Sequence, residues 1–129
     1  MTKQDLTARE PLIVIASNRG PFYFHYSAED QLEILRGTGG LVTALGGLAE
    51  KLDMLWVAVA MTDGDKRWVQ ETGEQEKLVE GIQLKLVSPS EDAYQKYYHR
   101  ISNPLLWFIQ HQLWDAPRSP NITADTWDA

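Results

Sequence analysis

An α/β fold built on a parallel sheet is predicted by three features of this 129-residue chain. Two uninterrupted apolar runs, at residues 11–16 and 54–61, have the composition of strands that are covered on both faces. Between them, a glycine-rich loop leads into a segment in which apolar residues recur at helical spacing. A half-exposed strand pattern at residues 82–86 then precedes a second helix signal. This alternation of strands and helices is typical of α/β proteins.

Composition and charge exclude several classes of function. Hydrophobic residues make up 43% of the chain, which is ordinary for one globular domain with a core. A net charge of -6 argues against nucleic acid or an anionic membrane surface as a partner. The chain has no cysteine, so it has neither disulfides nor thiolate metal ligands, and we expect a cytoplasmic protein. Residues 1–10 are polar and are expected to form a disordered tail.

The first apolar run ends in Ser17-Asn18-Arg19, and ligands of open α/β sheets gather at the carboxyl ends of such strands. The guanidinium of Arg19 suits a phosphate, although an isolated surface arginine more often pairs with a nearby carboxylate. Residues 22–26 and 32–36 alternate around a polar turn, which predicts a β-hairpin after the first strand.

The glycine-rich loop predicts an anion site at a helix N-terminus. Gly39 and Gly40 lack Cβ atoms, so a phosphate could approach the unpaired backbone N–H groups of the following helix. Val42 stands where a dinucleotide fingerprint needs its third glycine, and the loop has no Walker lysine. An ordinary strand-to-helix turn therefore remains open. The predicted buried face of the helix consists of Leu41, Ala44, Leu45, Leu48 and Leu52.

The last third of the chain predicts two helices. Ser88-Pro89-Ser90-Glu91 has the pattern of a capping box with proline at the first helical position. Asn103-Pro104 is expected to begin a separate helix over residues 105–114, whereas residues 68–80 are expected to form a peripheral helix or irregular structure. Tyr98 and Trp107 lie on the two predicted helices, where most α/β domains would use them as core aromatics.

Three segments together resemble the start of the trehalose-6-phosphate synthases, which form glycosyltransferase family 20. They are Ile13-Val14-Ile15-Ala16-Ser17-Asn18-Arg19, then Gly39-Gly40-Leu41-Val42-Thr43-Ala44-Leu45, then Tyr97-Tyr98 with Ile101-Ser102-Asn103 and Leu106-Trp107. Each segment is short, but all three occur in the family's order between residues 12 and 114.

The resemblance implies a Rossmann-like, acceptor-side N-terminal domain of a GT-B glycosyltransferase, truncated at residues 11–129, with the C-terminal donor-binding domain absent. It implies a retaining enzyme that moves glucose from UDP-glucose to glucose 6-phosphate without a cofactor or metal. Arg19, Tyr98 and Trp107 would hold the acceptor, with Arg19 counted as catalytic, and Gly39 and Gly40 would face the donor diphosphate. The partners would be small molecules, with a homo-oligomer left open, and this fragment alone would be inactive.

The sequence also departs from the family pattern. Members read Trp-Val-Gly-Trp-Pro-Gly where this chain has residues 56–61, so Val59 replaces a tryptophan, and His99 replaces an asparagine. A divergent member with another acceptor, of the glucosylglycerol-phosphate or pseudo-glycosyltransferase type, therefore remains an alternative. A non-catalytic phosphosugar-binding module is a further one.

Overall fold

The computed structural model describes residues 12–49, 51–112 and 120–129. The chain divides into two compact units, residues 1–88 and 89–129, and each is described by itself. The tail predicted for residues 1–10 lies outside the described residues, as do the last two residues of the helix predicted over 105–114. Within the described ranges, no helix combines the length and the apolar character that crossing a bilayer requires.

The first unit is an α/β structure, as the sequence predicts. Its elements are β1 (Ile13–Ser17), β2 (Phe22–Tyr26), β3 (Leu32–Arg36), α1 (Gly40–Ala49), β4 (Met54–Val59), α2 (Asp63–Thr72), β5 (Lys77–Val79) and β6 (Ile82–Val87). β1 pairs with β4 and β4 with β6 in parallel, and β5 adds to β6 in antiparallel orientation, which gives a sheet of order β1-β4-β6-β5. The antiparallel hairpin of β2 and β3 forms a separate two-stranded sheet.

The core of this unit joins one face of the sheet to the hairpin and α2. Trp56 on β4 and Leu84 on β6 are fully buried and lie opposite each other in the parallel register. Phe24 of the hairpin stacks on Trp68 of α2, with ring centroids 4.2 Å apart, and both side chains belong to the same buried cluster. The hairpin is therefore packed into the core on one of its faces.

Two details of the predicted core are wrong. Leu12, Ile13 and Val14 are each at least 40% exposed, because β1 lies at the edge of the described sheet and pairs only with β4. The face of α1 that packs on the core contains Val42, Leu45 and Ala49, whereas Leu41, Leu48 and Leu52 of the predicted face are exposed. Apolar residues surround most of this helix, so their spacing does not select one side.

The second unit is helical. Its elements are α3 (Glu91–Tyr94), a π-helical segment (Gln95–Leu106), α4 (Trp107–Gln110) and α5 (Ala124–Asp128). The N-cap is Ser90, whose hydroxyl accepts the N–H of Ala93 at 3.2 Å, so the helix predicted from Ser88 begins two residues later than expected. The separate helix predicted after Asn103-Pro104 is wrong.

The chain stays helical through Pro104, which has no N–H to donate. The N–H of Trp107 donates to the carbonyl of Ser102, five residues back, which is the hydrogen bond of a π turn. The wider turn lets the helix continue past Pro104, although the proline has no N–H.

Candidate functional site

A cleft of about 280 Å³ opens where β1 and β4 end. It lies at the carboxyl edge of the parallel strands, the usual ligand position in open α/β sheets, and its volume is near the lower end for small-molecule sites. The strand-end loops, the hairpin, the start of the glycine-rich loop and α2 all contribute to it. Its lining residues are Arg19, Gly20, Phe22, Tyr23, Gly37, Thr38, Val59, Met61, Thr62 and Asp65.

Among the described residues that line the cleft, Arg19 is the only one with a cationic side chain. It is exposed, and none of the salt bridges among the described residues involves it. The common alternative for a surface arginine, a local carboxylate partner, is therefore not what the described part of the chain shows. Its guanidinium offers several N–H donors to a ligand in the cleft.

The glycine-rich loop begins against the loop that carries Arg19. The N–H of Gly37 donates to the carbonyl of Pro21 at 2.7 Å, and a Cβ at Gly37 would stand 2.6 Å from the carbonyl oxygen of Gly20. A side chain at this position would collide with backbone, so the close approach requires glycine. Gly37 and Thr38 therefore form one wall of the cleft.

Gly39 and Gly40 follow directly but do not line the cleft. Gly39 has φ +137°, a conformation that L side chains rarely adopt, and Gly40 is the first residue of α1. A Cβ at either glycine would meet no atom within 4 Å, so open space lies in front of this helix N-terminus. Their predicted contact with a diphosphate stays a prediction.

Asp65 is a buried carboxylate in the cleft lining that the sequence analysis missed. Its side chain is 3% exposed and accepts three backbone N–H groups, from Phe24 at 2.7 Å, Thr62 at 2.9 Å and Met61 at 3.1 Å. It thereby joins the hairpin to the β4–α2 turn. The signal was present, because Thr62 and Asp65 have the spacing of a capping box and the structure forms one.

Gly64 shows how closely the hairpin approaches this helix start. A Cβ on Gly64 would stand 2.0 Å from the carbonyl oxygen of Phe24, so backbone packs directly on backbone. Helix α2 begins at Asp63, one residue before Gly64, and this contact places the start of the helix against the hairpin.

A charged cluster fixes the far end of the hairpin to α2. Arg67 pairs with Asp30 at 2.5 Å and with Glu71 at 2.8 Å, and its guanidinium lies 3.8 Å from the ring centroid of Tyr26. The Tyr26 hydroxyl donates to Glu71 at 2.6 Å. The hydrogen bond and charge of Arg67 lower the pKa of Asp30, and the hydrogen bonds from Tyr26 and then Arg67 lower the pKa of Glu71.

The other two titrating groups shift upward in this cluster. Hydrogen bonds to Asp30 and then Glu71 raise the pKa of Arg67. Partial burial, followed by the hydrogen bond to Glu71 and its charge, raises the pKa of Tyr26. The cluster thus places one guanidinium between two carboxylates and joins the hairpin to α2.

Tyr98 and Trp107 lie in the helical unit. The half-buried Tyr98 ring stacks on Tyr94, with centroids 5.4 Å apart, and Trp107 is 49% exposed and stacks on His111 at 4.1 Å. Arg19 belongs to the other compact unit, so the convergence of these rings with Arg19 stays a prediction. Among the described residues, no group of three or more His, Cys, Asp or Glu side chains could hold a metal ion.

Comparison with known proteins defines the class. The model of glycosyltransferase family 20 matches residues 11–129. Because this match spans nearly the whole chain, the protein belongs to glycosyltransferase family 20.

Relatives within the family are named trehalose-6-phosphate synthases. That of Mycolicibacterium smegmatis is 31% identical over 115 residues, which covers 89% of this chain and 21% of the relative. That of Mycobacterium sp. (strain JLS) is 33% identical over 101 residues, covering 78% of this chain and 19% of the relative. The chain thus spans about a fifth of the length of these curated relatives.

A solved structure shares the fold. It is described as trehalose-6-phosphate from E. coli bound with UDP-2-fluoro glucose, and it aligns with 92% of this chain and 22% of its own, at 20% identity and a TM-score of 0.57. The predicted α/β class, with a hairpin after the first strand, is confirmed.

Proposed function

We propose that this chain forms the acceptor side of a retaining glycosyltransferase that moves glucose from UDP-glucose to glucose 6-phosphate, giving trehalose 6-phosphate. The proposal includes a C-terminal donor-binding domain that completes the enzyme. The observation that carries it is the cleft at the ends of β1 and β4, where Arg19, which has no salt bridge among the described residues, lies with Gly37 and Thr38 of the glycine-rich loop. The names of the family relatives support the same activity.

The chemistry requires positioning more than proton transfer by the protein. The acceptor hydroxyl forms a bond to the anomeric carbon while the bond from that carbon to the UDP oxygen breaks. The proton passes to an oxygen of the leaving diphosphate, so no protein base is needed. Arg19 would hold the acceptor phosphate, and the N–H groups at Gly39 and Gly40 would stabilise the charge that develops on UDP.

The test is UDP release by the whole enzyme with UDP-glucose and glucose 6-phosphate. We expect Arg19→Ala to raise the acceptor KM by about tenfold or more, because a phosphate loses a charge-assisted partner. Lys51→Ala, which removes an exposed cation beyond the C-terminal end of α1, is the matched control and should leave the acceptor KM unchanged. An acceptor KM that is equal in the two variants would refute the role of Arg19.

A different phosphorylated acceptor is the second candidate, and one observation favours it. Val59, where the family pattern has tryptophan, lines the cleft together with Met61. A valine in place of an indole leaves more room and removes a flat ring on which a sugar could stack.

An acceptor panel separates the candidates. Glucose 6-phosphate, glycerol 3-phosphate and a cyclitol phosphate are compared by UDP release under the same conditions, with Val59→Trp as a second enzyme. If the chain uses a different phosphorylated acceptor, we expect Val59→Trp to increase UDP release with glucose 6-phosphate relative to the other acceptors. Binding of these phosphates without any UDP release would instead indicate a non-catalytic phosphosugar-binding module.

A further inference from the structure

The loop that carries Arg19 is held from inside the core by a chain of two hydrogen bonds. Trp56 is fully buried on β4, and its indole N–H donates to the hydroxyl of Ser17 at 2.8 Å. The Ser17 hydroxyl in turn donates to the backbone carbonyl of Arg19 at 2.7 Å. Ser17 is the last residue of β1, so this relay spans the turn from the strand to the cleft.

The direction of the relay follows from the chemistry of its groups. An indole N–H can only donate, and burying it without a partner is unfavourable, so one lone pair of the Ser17 hydroxyl accepts the hydrogen bond from Trp56. The hydroxyl proton then points away from the indole and meets the carbonyl of Arg19. A rotating hydroxyl is thereby fixed in one orientation by a core side chain.

A third hydrogen bond restrains the same turn. The N–H of Val59 donates to the carbonyl of Asn18 at 3.3 Å. Gly20, which follows Arg19, lies close against β4, because a Cβ there would be 3.1 Å from the Cβ of Ala58. Asn18 is therefore bonded to β4 and Gly20 packs on it, and the side-chain hydroxyl of Ser17 makes the hydrogen bond to the backbone of Arg19 itself.

From this geometry we propose that Ser17, oriented by Trp56, is a positioning residue for Arg19 in acceptor binding. The inference rests on the proposed function, in which Arg19 holds the acceptor phosphate. Preorganised donors bind a phosphate better than mobile ones, because less freedom is lost on binding. Loss of the relay should therefore weaken acceptor binding while the groups that touch the substrate remain in place.

The test uses the whole enzyme and the split between KM and kcat. We expect Ser17→Ala to raise the KM for glucose 6-phosphate about tenfold, which corresponds to about 1.4 kcal/mol, with kcat and the UDP-glucose KM nearly unchanged. Ser17→Thr keeps the hydroxyl and should restore the acceptor KM. Ser27→Ala is the matched control, since its hydroxyl accepts two backbone N–H groups in the hairpin turn, away from the cleft.

A double variant separates positioning from stability. Ser17→Ala leaves the indole N–H of Trp56 buried without its acceptor, so the melting temperature should fall; adding Trp56→Phe removes that donor, so the combined loss should be smaller than the sum of the single losses. The acceptor KM should nevertheless stay raised in the double variant, because the tie to Arg19 is still missing. A KM that recovers together with the melting temperature would overturn the inference.

Comparing Arg19→Ala with Ser17→Ala distinguishes a failure of the proposed function from a failure of the positioning role of Ser17. If Arg19→Ala raises the acceptor KM and Ser17→Ala does not, the positioning role of Ser17 is wrong and the proposed function stands. If Arg19→Ala leaves the acceptor KM unchanged, the assignment of the cleft fails, and the role of Ser17 fails with it.

Discussion

Replacing Asp65 by asparagine tests how the cleft is built. One oxygen of the carboxylate accepts the N–H of Phe24, and the other accepts those of Met61 and Thr62. An amide has only one oxygen, so the best orientation keeps the pair of bonds and turns an NH₂ group towards the Phe24 N–H. One buried donor then loses its acceptor, and the two remaining bonds lose their assistance from charge.

The expected loss is a large part of the stability of an ordinary domain. An unsatisfied buried donor costs about 1–3 kcal/mol, and weakening two charge-assisted bonds adds about 1 kcal/mol, so we expect a loss of about 3 kcal/mol. Whole domains are stable by about 5–15 kcal/mol. Asp63→Asn, at the exposed first residue of α2, is the matched control, since it removes the same charge from the same helix turn.

Urea unfolding followed by tryptophan fluorescence measures the difference, because Trp68 is buried against the hairpin. Hydrogen exchange at the Phe24 amide gives a local measure of the same hydrogen bond. If Asp65→Asn and Asp63→Asn destabilise the protein equally, the hydrogen bonds of Asp65 do not hold the hairpin to the β4–α2 turn and the reasoning is refuted.

Two further predictions concern the contact between the hairpin and α2. The lowered pKa of Asp30 means that its pairing with Arg67 stabilises the fold above the ordinary carboxyl pKa of 3.8, and that this stabilisation is lost as pH falls through the folded-state pKa. Arg67→Met should therefore lower the melting temperature more at neutral pH than in acid, where the contact of Arg67 with the Tyr26 ring is left but its ion pairs are lost. An equal effect at both would contradict the ion-pair account. Gly64→Ala should displace Phe24, where a Cβ has only 2.0 Å, and lower the urea midpoint. Gly46→Ala in the open interior of α1 should instead raise the free energy of unfolding by up to about 1 kcal/mol, and a fall in that free energy would contradict this account.

Local sequence patterns were sufficient to predict part of the fold. The hairpin strands, Phe22–Tyr26 and Leu32–Arg36, have the bounds that their alternation predicts, because a polar turn and two flanking runs define the pairing by themselves. Helix α1 begins at Gly40, one residue before the helical spacing of apolar residues that starts at Leu41. The position of Arg19 in the cleft lining follows from the general rule that ligands bind at strand ends, although its role stays a prediction.

Other features depend on distant contacts and could not be derived locally. Trp68 and Val69 are adjacent on a strongly charged helix, and both are buried in the core cluster, where Trp68 stacks on Phe24 of the hairpin. Nothing in the surrounding residues shows that Phe24 will stack there. The helix through Pro104 was missed because Asn-Pro usually begins a new helix, whereas the π turn accommodates the missing donor.

Asp65 bonds backbone N–H groups and, in the described part of the chain, no side chains, so the structure of the cleft does not depend on which side chains the bonded residues carry. The N–H of Met61 is bonded whatever side chain the residue carries, while the side chain itself lines the cavity. Replacements at Met61 can therefore alter which molecules the cavity accepts without loosening its frame. The same carboxylate that gives the site its rigidity leaves this wall free to diverge between members of one family.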